Sequence, residues 1–184
     1  MTPEEYKQLK AFARQDGALL SLLWIGALIC YIQGMANPLL GILSLILIVA
    51  SPFFAASRLR HFRDYAREGV ISFKRGYAYL VLVFFYAGLL LAVALYIYFA
   101  FIDKGYLYMK LTEMMSTEEG RLAIQAAGMK EQMDEGLKEL NNMRPIDYAL
   151  NMLTFNIMTG FFLGLPIAAV TQREVRSKRL EIKK

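Results

Sequence analysis

Very few residues in this sequence have the chemistry that catalysis or metal binding requires. The 184 residues include one histidine, His61, and one cysteine, Cys30, which lie in different segments. No catalytic pair of the Ser–His–acid or Cys–His kind is indicated, and neither is a zinc site, which needs three or four such ligands. A glycine-rich phosphate-binding motif is also missing from the sequence. We therefore predict a protein that is not an enzyme, with no catalytic residue, no cofactor and no metal site.

Methionines are concentrated in one polar segment of the chain. Six of the ten lie between residues 103 and 147. Thioethers can bind Cu(I), so a copper site is one interpretation of this enrichment. The other is that flexible methionine side chains fill an apolar helical stripe. We favour the second interpretation because Met129 and Met133 recur at helical spacing with Leu122 and Leu137.

Four polar residues lie in an otherwise apolar stretch near the carboxyl terminus. They are Asn151, Thr154, Asn156 and Thr159. These side chains are suited to line a polar path through an oligomer, or to form hydrogen bonds between helices, and we favour the second role. The same stretch contains Gly160, Gly164 and Ala168. Small residues at this spacing let two helices approach closely, so we predict a helix-packing face.

The densest group of cations lies between residues 57 and 75. It comprises Arg58, Arg60, Arg63, Arg67, Lys74 and Arg75. Each cation near a bilayer attracts anionic headgroups by roughly 1 kcal/mol, so these six are candidate contacts for anionic lipids. Asp64 is four residues after Arg60 and three before Arg67, which predicts ion pairs along one helical face. A nucleic-acid interface is not predicted, because no nucleic-acid-binding motif accompanies the cations.

Four stretches without a charged residue or a histidine determine the architecture. They cover residues 17–33, 39–56, 76–102 and 148–170. A helix needs about 20 apolar residues to cross the hydrocarbon core of a bilayer. A soluble helix would show a polar face, and the third stretch shows none. We therefore predict an all-α, polytopic integral membrane protein with four transmembrane helices in one domain, residues 1–184. Because the stretches contain no acid or base, a proton-coupled carrier is disfavoured.

The distribution of charge predicts the orientation of the chain. The two terminal tails and the loop 57–75 hold 15 of the 21 cations and carry a formal charge of +8. Residues 103–147 carry a formal charge of −3. Because short cytoplasmic segments are enriched in Lys and Arg, both termini and the loop 57–75 are predicted to be cytoplasmic. Residues 103–147 are then predicted to lie on the outer side, and we refer to them as the outer segment.

Two further helices are predicted outside the spans. Residues 1–16 begin with Pro3 and two acids, which is typical of a helix start, and they predict a short helix on the membrane surface. A capping box at Ser116–Glu119 predicts an amphipathic outer helix from about Thr117 to Asn142. Its apolar positions are Leu122, Ala126, Met129, Met133, Leu137 and Leu140. This stripe needs a partner, which is the membrane surface, the ends of the spans, a second copy or another protein.

Three stretches of the sequence resemble a known family. They are RHFRDYAREGVISFKRGYAYL, the span end YIYFAFID and the segment MRPIDYALNML. Together they resemble small four-span membrane proteins that are common in Bacteroidota and form domain-of-unknown-function family 4199. The resemblance extends from about Leu20 to Val170, and it implies four helices in the inner membrane of a Gram-negative cell. It implies no activity. The residues that carry it are Arg63, Asp64, Gly69, Ile71, Ser72, Phe73, Gly76, Tyr98, Asp103, Pro145 and Gly160.

The sequence therefore predicts a non-enzymatic structural or accessory subunit of the cell inner membrane that binds other membrane proteins or itself. One alternative is a small transporter or channel component that acts as an oligomer. The other is a protein that binds anionic lipid headgroups through the loop 57–75. The expected partners are the bilayer and a membrane protein or a second copy, and no nucleic acid.

Overall fold

The computed structural model describes residues 2–173, and helices account for most of them. Four helical stretches in this range are long and apolar enough to cross a membrane: Pro3–Gly34, Pro38–Ala66, Phe73–Ile102 and Pro145–Thr171. The predicted all-α membrane fold is confirmed. The helices are α1 (Pro3–Gly34), α2 (Pro38–Ala66), α3 (Phe73–Ile97), the π-helical turn (Tyr98–Ile102), α4 (Tyr106–Ser116), α5 (Glu118–Ala126), α6 (Lys130–Asn142) and α7 (Pro145–Thr171).

Helix α1 runs without a break from the amino-terminal tail into the first apolar stretch. The Thr2 side chain accepts from the Glu5 amide at 3.2 Å, and the Glu5 carboxylate accepts from the Thr2 amide at 3.0 Å, which forms a capping box. The prediction of a separate surface helix over residues 1–16 is wrong. Leu9 and Ala13 are buried in the same core as Leu20, so one apolar face continues along the whole helix.

Helix α3 lies at the centre of the bundle. It packs against α1 on one side and α7 on the other, and α2 packs mainly against α1. Its side chains Tyr79, Leu80, Val83 and Phe84 are almost completely buried. Its exposed side chains Leu89, Leu90 and Val93 are apolar as well. Burial by the neighbouring helices therefore does not by itself account for the missing polar face, which fits a helix that also faces lipid.

The outer segment forms α4, α5 and α6, whereas a single helix from Thr117 to Asn142 was predicted. Thr117, one residue after the predicted cap, begins α5 by accepting from the Gly120 amide at 3.1 Å. Helix α5 ends before Gly128, whose φ of +64° is in the left-handed region that glycine adopts readily. The apolar spacing runs across this break, so periodicity alone predicted one continuous helix.

Candidate functional site

A buried charged cluster joins three of the long helices at the end of the bundle that carries the loop 57–75. Asp16 of α1 is 0% exposed. Its carboxylate accepts from Arg58 Nε of α2 at 2.6 Å and from the Tyr79 hydroxyl of α3. An unpaired buried carboxylate would be destabilising by several kcal/mol, so both partners are needed to hold the charge here. The cluster therefore fixes α1, α2 and α3 relative to one another.

The burial of Asp16 was not predicted from the sequence, in which this residue belongs to the polar tail before the first span. Helical phase was the missed signal: Asp16 follows Leu9 and Ala13 and precedes Leu20 on one helical face. All four residues are buried. The partner was not predictable in the same way, because Arg58 lies 42 positions away and such a pair has no local sequence signature.

A second group of ion pairs lies near the start of α1. Glu5 Oε1 is 2.9 Å from Arg67 Nη2, and Glu5 Oε2 is 2.8 Å from Arg75 Nη2. Arg67 caps the end of α2, and Arg75 is in the first turn of α3. One carboxylate thus bridges two helix ends. Because all three side chains are partly exposed, solvent screens the attraction, and each pair contributes at most about 1 kcal/mol.

The loop after α2 also forms hydrogen bonds with the end of α7. Arg63 Nη1 donates to the carbonyl of Thr171 at 3.0 Å. Ile71 and Arg173 exchange two backbone hydrogen bonds, each of 3.0 Å. These contacts close the bundle, since they connect the loop between the second and third spans to the last span.

Four of the six cations proposed as lipid contacts are paired inside the fold: Arg58, Arg63, Arg67 and Arg75. Arg60 and Lys74 are exposed and form no ion pair with an acid in residues 2–173. The expected pairing of Asp64 with Arg60 and Arg67 is wrong, because Asp64 pairs with the adjacent Arg63 at 2.7 Å. Lipid contact by the loop cations stays a prediction.

The predicted packing face of α7 is turned toward α3. A Cβ added to Gly160 would lie 2.6 Å from Phe84 Cβ, and one added to Gly164 would lie 3.2 Å from the Tyr77 ring. Ala168 is buried on the same face. The small residues bring α7 and α3 together within one chain. Because α3 covers this face, the face gives no support to partner binding.

The four polar residues of α7 do not converge. Asn156 is buried, but its amide donates to the Met152 carbonyl of its own helix at 2.8 Å. Thr154 is exposed and likewise bonds within α7, to Leu150. Asn151 is exposed, and Thr159 is partly exposed. The hydrogen bonds of Thr154 and Asn156 are therefore within α7, where bonds between helices were expected. The Asn156 side chain nevertheless packs against Gly88 of α3.

The outer helices are the least buried part of the described chain. Helices α4, α5 and α6 contain no buried residue, and they contact mainly one another. The predicted apolar stripe is divided between two environments. Its later residues Met133, Leu137 and Leu140 are half-buried. The side chains of Leu122 and Met129 are 60% and 47% exposed, so the rest of residues 2–173 does not cover them.

A groove of about 430 Å³ separates the three outer helices, and Met115, Ile124 and Leu137 form its apolar walls. Salt bridges stabilise the ends of the segment. Lys110 Nζ lies 2.6 Å from Glu113, which raises the pKa of Lys110 through a charged hydrogen bond. Arg144 forms the corresponding pair before α7 with Asp147, at 3.0 Å, which raises the pKa of Arg144.

Potential metal ligands are dispersed. Within residues 2–173, no group of three or more His, Cys, Asp or Glu side chains is placed to hold a metal ion. Cys30 is partly buried in α1. His61 is on the exposed side of α2, where its ring stacks on Tyr65 with centroids 5.6 Å apart. Cys30 precedes the end of α1 and His61 precedes the end of the antiparallel α2, so they lie near opposite ends of the bundle.

The fold and its charged contacts can be compared with known proteins. Residues 17–173 match the family described as "Protein of unknown function (DUF4199)". The chain belongs to this family. No match was found among curated proteins or among solved structures. The DUF4199 match covers the apolar stretches of all four candidate spans together with the outer segment. It begins one residue after Asp16, so both acids that α1 contributes to the charged contacts, Glu5 and Asp16, lie outside it.

Proposed function

We propose that this protein is a non-enzymatic accessory subunit of a bacterial inner membrane, of the kind found in Bacteroidota, and that it binds another membrane protein through its outer segment. The observation that carries the proposal is the burial pattern of residues 106–142, none of which is buried. Leu122 and Met129 are the most prominent apolar side chains left exposed on the predicted stripe.

Chain entropy opposes the ordering of an outer segment that has no partner. Ordering each residue of a segment opposes folding by about 1–2 kcal/mol, and burial of apolar surface must offset that. Within residues 2–173 the outer segment gains little burial to offset this entropic cost, because its helices contain no buried residue. A partner that covers Leu122 and Met129 would supply the missing burial. A non-enzymatic role fits this account, because it requires only surfaces and their complementarity.

Charge favours a different protein over a second copy as the partner. Residues 103–147 have a formal charge of −3, so two copies that meet through this segment would bring like charges together. A partner with a basic outer surface would be attracted. In the proposed orientation both termini and the loop 57–75 are cytoplasmic, which leaves the outer segment to meet its partner on the periplasmic side.

Co-purification from native membranes tests the proposal. The tagged chain would be extracted gently and examined by native mass spectrometry, and we expect a stoichiometric second protein. The variant Leu122→Glu/Met129→Glu should lose this protein. Gln132→Glu/Asn141→Asp is the matched control, because it adds the same negative charge at exposed polar positions of α6. Recovery of the chain alone, or equal loss in both variants, would contradict the proposal.

A further inference from the structure

A groove of about 360 Å³ lies between the first turns of α1 and the middle of α3, and we call it the α1 groove. Three of the residues that line it are cations, Lys7, Lys10 and Arg14, and they are spaced so that they share one face of α1. This face differs from the one that buries Leu9 and Ala13. Tyr6, Ala11 and Tyr86 complete the lining.

The cations of the α1 groove differ from most of those in the loop 57–75. Lys7, Lys10 and Arg14 are exposed, and none forms an ion pair with an acid in residues 2–173. Four loop cations, by contrast, are already paired with acids of the fold. The α1 groove therefore holds a concentration of positive charge that the described chain does not neutralise.

The groove lies beside the start of the apolar stretch of α1. A Cβ on Gly17 would lie 2.7 Å from Tyr86 Cβ, so α1 and α3 touch here. The apolar stretch of α1 begins at Gly17, and a helix rises about 1.5 Å per residue. Arg14 and Lys10 thus lie about 5 and 10 Å outside that stretch. Headgroups occupy roughly the 5–8 Å beyond the hydrocarbon core, so by the count along α1 Arg14 is at headgroup depth and Lys10 is just beyond it.

We propose that the α1 groove binds the phosphate of an anionic phospholipid through Lys10 and Arg14, with Lys7 at its rim. A guanidinium suits phosphate because it can donate two parallel hydrogen bonds, and a lysine adds a point charge. The Tyr86 ring lines the groove beside them. Farther along α1, Leu22 and Ile29 are 65% and 57% exposed and offer apolar surface to acyl chains.

The exposed apolar residues farther along α1 favour a lipid over a soluble phosphate as the ligand of the groove. A lipid gains from the charges and from the exposed apolar residues beyond them, whereas inorganic phosphate gains from the charges alone. The site is distinct from the loop 57–75, and it does not depend on the partner proposed for the outer segment.

Lipid titration of the purified full chain tests the proposal. Native mass spectrometry would measure binding of dioleoyl phosphatidylglycerol and, as the neutral comparison, dioleoyl phosphatidylcholine. Lys10→Gln/Arg14→Gln should weaken phosphatidylglycerol binding about 30-fold, since each cation contributes a factor of about five. Arg121→Gln/Lys138→Gln removes the same charge from exposed positions of the outer segment and should change binding less than about threefold. Equal loss in both variants, or no loss in the first, would overturn the site.

Two further measurements are needed. One distinguishes loss of lipid binding from loss of folding, and the other distinguishes a lipid site from a site for soluble phosphate. Lys10→Arg/Arg14→Lys keeps the charges and should retain binding within about threefold, with all variants matched for helical content. Inorganic phosphate in large excess should not displace phosphatidylglycerol. Displacement by phosphate that depends on Lys10 and Arg14 would assign the groove to a soluble anion and overturn the lipid proposal.

Discussion

Asp16 and Arg58 form a salt bridge with an N–O distance of 2.6 Å at the boundary where the apolar stretches of α1 and α2 begin and end. Asp16 directly precedes the first stretch, and Arg58 follows the second by two residues. The Tyr79 hydroxyl completes the cluster from α3. A position this close to the hydrocarbon core offers little water to solvate a charge, so each charge depends on its partner.

Removing the carboxylate should therefore destabilise the protein strongly. We expect Asp16→Asn to lower the free energy of unfolding by about 3 kcal/mol, because it leaves a partly buried guanidinium without its counter-ion. Unfolding in detergent by increasing sodium dodecyl sulfate can be followed through the fluorescence of Trp24. This is the single tryptophan of the chain, and its indole donates to Ser51 Oγ at 2.8 Å.

Replacing both charges should be milder than replacing one. Asp16→Leu/Arg58→Met substitutes an apolar pair for the ion pair, and we expect it to recover at least half of the stability that Asp16→Asn loses. Arg60→Gln is the control, since it removes an exposed cation with no acid partner in residues 2–173. A double variant as unstable as the sum of Asp16→Leu and Arg58→Met, each measured alone, would show that the charges act independently, against the structure.

The contact of α7 with α3 predicts a difference between two glycines. Gly160→Ala places a methyl group 2.6 Å from Phe84 Cβ, so the helices must separate, and we expect a loss of about 1–3 kcal/mol in the free energy of unfolding. Gly26→Ala in α1 meets no atom within 4 Å and should cause no loss. Equal stability of the two variants in the same unfolding assay would contradict the packing of α7 on α3.

The proposed orientation can be checked by cysteine labelling. In a Cys30→Ala background, which has no cysteine, Asn141→Cys should react with a membrane-impermeant maleimide added to intact spheroplasts. Arg60→Cys should react only after the membrane is disrupted, because its loop is proposed to be cytoplasmic. Both positions are exposed, so accessibility within the fold does not differ. The reverse pattern would invert the topology and place the outer segment inside.

Sequence reasoning succeeded where one physical effect dominated. Uncharged stretches of bilayer length predicted the four candidate spans. It was wrong where long-range packing decided the outcome. Leu9 and Ala13 are buried because α1 extends along the core, and Asp16 because Arg58 and Tyr79 meet it there. The sequence alone also did not predict which cations would lack an acid partner in residues 2–173, because this depends on the long-range ion pairs of the loop 57–75.

The outer segment also shows the limit of periodicity. Its apolar spacing is helical throughout, but the left-handed conformation at Gly128 divides it, so Leu122 and Leu137 belong to different helices. A glycine inside a helix is less favourable than an alanine by about 1 kcal/mol. Whether it ends one depends on the contacts that each half makes, and a local pattern does not contain those contacts.

Cross-linking in native membranes tests the central claim most directly. A photoreactive residue at Leu122, on the exposed part of the stripe, should give one discrete product heavier than the 21.0 kDa chain, with a second protein attached. The same residue at Gln132, on the polar side of α6, should give much less of it. The absence of a protein product at Leu122, or a product that contains only a second copy of this chain, would contradict the account.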